Sequence, residues 1–208
     1  MRLLHIESSP HLKGAVSREL AADFVCRLKT YLPELPVTFR DLVRDPPPPI
    51  DQAWADALFL PPGEHTEAMR AALAPSETYI AELQEADFFL FSMPMHNFTV
   101  PAPFKTWIDH MARPGRTFGI GNEGTYGLLE GKRALAITSR GGYYHTADPA
   151  SDFQEPYLRK IMSFIGVTDV AFVHAEGMDM GREARKAGLG RAEAELERHA
   201  RLWGRGSE

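Results

Sequence analysis

The apolar positions of this chain fall into short solid runs separated by stretches of helical spacing. Leu3-Leu4-His5-Ile6 is the first run, and Ser8-Ser9-Pro10 closes it, which predicts a strand over 3–7 and then a loop. Behind Ser17, the residues Leu20, Ala21, Phe24, Val25 and Leu28 recur at helical spacing, and Pro33 ends that helix. Residues 37–42 alternate apolar and polar and predict a second strand. The prolines at 46–49 make a stiff extended segment. Helical patterns follow over 51–60 and 64–85, with Pro75 a point of interruption in the second. Phe88-Phe89-Leu90-Phe91, inside 87–93, has the composition of a strand buried on both faces. A loop over 94–100 leads to a helix over 103–112, with proline near its start, where the missing N–H does no harm. The glycines and aromatics of 117–129 predict a loop or hairpin. A buried strand over 134–138 closes on Ser139-Arg140-Gly141-Gly142. A helix over 157–165, a last strand over 169–173 and a charged amphipathic helix over 182–202 complete the pattern.

Strands alternating with helices imply a parallel sheet covered on both faces. Five strands at this spacing fit a doubly wound α/β fold with a flavodoxin-like order. The length of 208 residues suits one domain over 1–208. A formal charge of −5 argues against a general nucleic-acid binder, which needs a basic face. No apolar run is long enough to span a membrane, and residues 1–6 read as a strand, too short for a signal peptide. A lone cysteine, Cys26, excludes an internal disulfide and points to a reducing cytoplasm. Its place in the first helical pattern predicts a buried or half-buried residue.

In such folds ligands bind outside the carboxyl ends of the strands, near the switch point of the sheet. Three strand-end loops have the composition for this. In the first, residues 8–17, the hydroxyls of Ser9 and Ser17 and the backbone N–H groups of Ala15, Val16 and Ser17 suit an anion at a helix start. The plainer reading makes Ser17 an N-cap. In the second, Met95 and Phe98 offer apolar contact to a flat heteroaromatic ring, and Asn97 offers hydrogen bonds to its edge; a packed turn is the alternative. In the third, Gly141 and Gly142 let the backbone approach a ligand closely, with N–H groups suited to the pyrimidine edge of a flavin. A glycine turn bearing Tyr143 and Tyr144 is the alternative there.

Joined with Lys105-Thr106-Trp107-Ile108-Asp109, Arg113-Pro114-Gly115-Arg116-Thr117-Phe118 and Phe164-Ile165-Gly166-Val167-Thr168-Asp169-Val170, these loops give a chain that resembles the FMN-dependent NADH azoreductases along nearly its whole length. That flavodoxin-like family also reduces quinones. The resemblance implies FMN as cofactor and NADH or NADPH as co-substrate. It also implies an azo compound or quinone as acceptor, served by hydride transfer in ping-pong order. By the same resemblance, Ser9, Ala15, Val16 and Ser17 would hold the FMN phosphate. Met95, His96, Asn97 and Phe98 would flank the ring, and Ser139, Arg140, Gly141 and Gly142 would take its pyrimidine edge. The flavin carries the chemistry, with His96 and Tyr144 as candidate proton donors. The family is homodimeric with its site near the interface, which makes Phe118, Tyr126 and Phe164 candidates to line it. Two departures stand out. Ala15 replaces a frequent serine, and His96 replaces a common tyrosine. A flavodoxin-type electron carrier is the rival reading; such carriers are usually smaller and more acidic.

Other motifs fail on context. Gly119-Ile120-Gly121-Asn122-Glu123-Gly124 matches a dinucleotide fingerprint but neither follows a strand nor opens a helix. Gly131-Lys132 lacks the rest of a P-loop. The eight histidines show no metal-ligand spacing, so no metal site is expected. No serine sits in a nucleophile elbow.

Overall fold

A computed structural model of the chain describes residues 1–205. Five parallel strands form its sheet: β1 (Leu3–Glu7), β2 (Val37–Asp41), β3 (Phe88–Pro94), β6 (Arg133–Ser139) and β7 (Asp169–Ala175). Their order, β2-β1-β3-β6-β7, is the doubly wound flavodoxin-like order expected. Two further strands, β4 (Phe118–Gly121) and β5 (Gly124–Gly127), pair as an antiparallel hairpin, so residues 117–129 take the second of the two conformations anticipated.

Side chains alternate across each central strand, and every strand therefore feeds two cores. Leu4, Ile6, Phe89, Phe91, Met93, Ala134 and Ala136 face one layer. That layer is made by α3 (Glu67–Glu85), α4 (Ala102–Met111) and α5 (Gln154–Phe164). Leu3, Phe88, Leu90, Leu135, Ile137 and Val173 face the other, made by α1 (Val16–Tyr31) and α6 (Arg182–Gly204). Trp203 of α6 stacks on Phe88 at 4.7 Å and meets Phe24 of α1 edge-on at 5.4 Å. The short α2 (Gln52–Ala57) packs Trp54 and Ala57 against Leu73 of α3.

Three local expectations are corrected. Pro75 does not interrupt α3, which runs unbroken through it. The carbonyl that Pro75 cannot pair belongs to Ala71, an exposed residue that water can serve. Ser17 is not an N-cap. The helix opens at Val16, Ala15 holds the cap position, and Ser17 lies inside the first turn. Cys26 is exposed, because it lies two residues beyond the buried Phe24 and so on the opposite side of α1.

The hairpin sits on the turn after α5 through a backbone contact. Leu129 N–H donates to Ile165 O at 2.8 Å. Gly127 packs so closely on Gly166 that a Cβ there would stand 2.0 Å from the Gly166 nitrogen. The phenyl rings of Phe118 and Phe164 lie 4.4 Å apart and tie the hairpin to α5. Its outer side leaves Ile120, Tyr126 and Leu128 exposed.

Candidate active site

All five strands run in one direction, so the loops after β1, β3, β6 and β7 gather at one end of the sheet. Backbone hydrogen bonds hold them together. Ser8 N–H donates to Ser92 O at 3.0 Å, Met95 N–H to Ser139 O at 2.8 Å, and Arg140 N–H to Ala175 O at 2.9 Å. Gly177 N–H donates to Gly142 O and Asp179 N–H to Gly141 O. The carbonyls of Gly141 and Gly142 are thus engaged, while among the described residues no hydrogen bond takes up their N–H groups. A cleft of about 340 Å³ opens between these loops. Of the residues singled out in the sequence, it is lined by Ser9, Ala15, Val16, Met95, His96, Ser139, Arg140 and Gly141. Residues as far apart in sequence as Ser9 and Arg185 meet in one place.

Ser17 lies beneath the cleft rather than on its wall. Its side chain is fully buried, and among the described residues its Oγ has no hydrogen-bond partner. Ser8 Oγ is in the same state. Burying a hydroxyl without a partner is costly, so two such groups at the opening of α1 mark a place that lacks an acceptor. The first turn of α1 adds N–H groups with no intrahelical acceptor, and the helix dipole favours an anion there. These donors fit a phosphate.

Asn97 and Phe98 form the tip of the β3 loop, and both have positive φ, at 46° and 71°. For a phenylalanine this backbone region is strained, and the His96–Thr99 pair of backbone hydrogen bonds holds it there. Phe98 is half exposed and meets Tyr144 edge-on at 6.0 Å, so these two rings stand together beyond the cleft wall. Gly142 packs against the Tyr144 ring.

Six lining residues were not singled out in the sequence: His11, Gly14, Pro94, Met178, Asp179 and Arg185. The last three come from the loop after β7 and the first turn of α6, whose ordinary composition gives no signal. A Cβ on Gly141 would stand 2.6 Å from Asp179 Oδ2 and would push that side chain aside.

A buried polar chain under the first loop was missed as well. Arg18 grips Asp41 through two nitrogens, at 2.8 and 3.1 Å, and donates to Ser9 O at 2.8 Å. Glu7 Oε1 accepts from Ser9 N–H at 2.7 Å, and Glu7 Oε2 from Ser92 Oγ at 2.5 Å. Ser9 is therefore clamped from both sides. His5 Nε2 lies 2.8 Å from Ser92 Oγ. Burial, reinforced by the charge of Arg18, lowers the His5 pKa to about 3. The ring is thus neutral and donates to Ser92. Burial also raises the pKa of Glu7 against its hydrogen bonds. A glutamate and a histidine inside an otherwise apolar first strand were the signal available. Arg140 is buried too, bonding Asp152 through Nη1 at 2.8 Å while its Nε and Nη2 are unpaired.

A larger cavity of about 620 Å³ lies on the flank between α2, α3 and the turn after α4. Its guanidinium groups Arg113 and Arg116 are both closed on Glu77, which leaves the strand-end cleft as the better-furnished site.

A sequence profile for proteins of flavodoxin-like fold matches residues 1–200. The chain belongs to this family. Among relatives, it is 44% identical over 203 residues to an FMN-dependent NADH:quinone oxidoreductase of Trichormus variabilis, covering 98% of this chain and 97% of that one. It is 44% identical to a protein of the same name from Azotobacter vinelandii, covering 94% and 97%. A solved azoreductase from Bacillus anthracis superposes with a TM-score of 0.89 at 26% identity, covering 96% of this chain and 98% of that one. These matches cover 94–98% of this chain. Among the described residues, no helix is long and apolar enough to cross a membrane.

Proposed function

We propose that this protein is an FMN-dependent NADH:quinone oxidoreductase that also reduces azo compounds. What carries the reading is the strand-end cleft. Its donors, two of them orphaned and buried, stand where a member of this family would hold a phosphate. The likeness over full length to relatives bearing that name supports an enzyme over an electron carrier.

In this reading Ser9, Ser17 and the N–H groups of Ala15, Val16 and Ser17 hold the FMN phosphate. Arg18, Glu7 and Asp41 fix Ser9 from below. Met95, His96, Asn97 and Phe98 flank the ring. Ser139, Arg140, Gly141 and Gly142 frame its pyrimidine edge, with two free N–H groups supplied by the glycines. Bound FMN would supply the two-electron chemistry between NADH or NADPH and the acceptor, with the two substrates taking the site in turn. The protein binds, orients and excludes water. His96 and Tyr144 are the candidate donors of a proton to the acceptor.

The acceptor is a flat aromatic molecule, a reading supported by the ring pair of Phe98 and Tyr144 that stands beyond the cleft wall. The enzyme acts as a homodimer, a reading supported by the exposed Ile120, Tyr126 and Leu128 on the hairpin. Its home is the cytoplasm. Titration of the apoprotein with FMN, followed by NADH oxidation with and without a quinone, tests the whole. Quinone-dependent turnover of NADH is expected. FMN binding without that turnover would favour a carrier, and failure to bind FMN would refute both.

A further inference from the structure

Away from the cleft, behind the loop that follows β6, three side chains converge that no sequence spacing connects. His145 comes from that loop, Glu155 from the first turn of α5, and His174 from β7. One ligand atom of each lies within 4.8 Å of the others. They open on a cavity of about 570 Å³. We propose that His145, Glu155 and His174 form a binding site for a divalent transition-metal ion, zinc above all, that clips the β6–α5 loop to α5 and β7.

The donor set selects the ion. Two imidazoles and one carboxylate suit zinc and its neighbours, whereas calcium and magnesium take oxygen ligands. Three protein ligands leave the fourth tetrahedral position for water.

The surroundings already orient two of the three ligands. Thr138 Oγ1 lies 2.7 Å from His174 Nδ1, which fixes the ring and leaves Nε2 toward the cavity. Ligating histidines commonly carry such an outer hydrogen bond. Arg159 occupies Glu155 Oε1 at 2.6 Å and leaves Oε2 to the site. At present His174 Nε2 and Glu155 Oε2 are in contact at 2.7 Å. The edge of a tetrahedron with zinc bonds of about 2.0–2.1 Å is about 3.3 Å. The two atoms therefore part by about 0.6 Å, and His174 binds the ion as the neutral ring that carries its single proton on Nδ1, donated to Thr138 Oγ1, with the Nε2 lone pair on the metal.

His145 supplies the movable ligand. Its backbone N–H donates to Glu176 Oε1 at 2.7 Å, while its exposed ring makes no hydrogen bond among the described residues. Its centroid stands 5.8 Å from that of His174, so side-chain rotation is enough to close the set. Three carboxylates (Glu155, Glu176, Glu195) and two guanidiniums (Arg159, Arg191) line the cavity. Their sum is −1, which does not repel a dication.

The test uses the untagged holoprotein, stripped with a chelator, and Zn²⁺ in competition with a chromophoric chelator. One ion per chain is expected. His145→Ala, at an exposed position that the fold does not need, weakens it at least about tenfold. Glu155→Gln does the same. His65→Ala, far from the site, leaves it unchanged. Co²⁺ in place of zinc gives the intense visible bands of a tetrahedral ion, lost in His145→Ala. Hydrogen exchange of residues 143–153 slows when zinc is added. Binding of less than one ion per chain, or full retention in His145→Ala, overturns the proposal.

Discussion

Replacing Ser17 with alanine should move two properties in opposite directions. In the free protein Ser17 Oγ is fully buried with no partner. An unsatisfied buried hydroxyl costs about 1–3 kcal/mol. Alanine removes that cost and raises helix propensity slightly. The methyl group left behind fills nearly the same space, so the apoprotein should gain roughly 1 kcal/mol. For a chain of this size that is about 2–4 °C in Tm. With FMN the sign reverses. A hydrogen bond to a charged group is worth about 1.5–3 kcal/mol, which is about ten- to a hundredfold in Kd. The assays are thermal melts of the apoprotein and titration of FMN by quenching of its fluorescence. General damage to α1 would lower both stability and affinity and cannot imitate a split. An unchanged Kd, or an apoprotein that melts several degrees lower, would refute the reasoning.

Three further outcomes are expected. Gly127→Ala forces a Cβ into the Gly166 backbone and should cost about 3 kcal/mol or more, read from denaturant midpoints; a Gly190→Ala control, exposed on α6 with open space around it, should lose nothing. His5 is neutral in the fold, with its pKa lowered from 6.5 to about 3. The unfolded chain therefore binds a proton that the folded chain refuses, and stability falls as the pH drops from about 6.5 toward about 3. His5→Asn should flatten that limb of the pH–stability curve, and unchanged curvature would count against it. Ile120→Glu should turn a dimer into a monomer by light scattering, since Ile120 is 73% exposed at the hairpin tip; a wild type that is already monomeric would remove the premise.

Repetitive physics made the fold legible. Apolar runs such as Phe88–Phe91 and the helical spacing behind Ser17 reflect burial on one or two faces, and such patterns survive in a linear string. Pro75 was misleading because a proline costs little where the orphaned carbonyl meets water. Cys26 was misplaced because apolar spacing identifies a helix before it identifies a rim position. Three of the four loops at the cleft announced themselves through glycines, hydroxyls and soft side chains. The fourth, with Met178, Asp179 and Arg185, did not, because its part depends on what β7 sits beside. The same holds for His145, Glu155 and His174: their proximity comes from the β6–β7 pairing, which no local spacing encodes. Glu7 stood in plain view, a charge in a buried strand, but its partner Ser92 lies 85 residues away.

The packing of α6 against α1 sets a timetable for folding in the cell. Phe24, Arg27 and Tyr31 of α1 meet Trp203 and Glu197 of α6. About 150 residues separate the end of α1 from the start of α6. At the usual rates of synthesis, about 5–20 residues per second, that is roughly 8–30 s. During this interval the apolar stripe of α1 gains β3 and then β6 to rest on but lacks its helical neighbour. A nascent chain is thus open to chaperones along α1, and to premature pairing with other chains, until its last helix emerges from the ribosome.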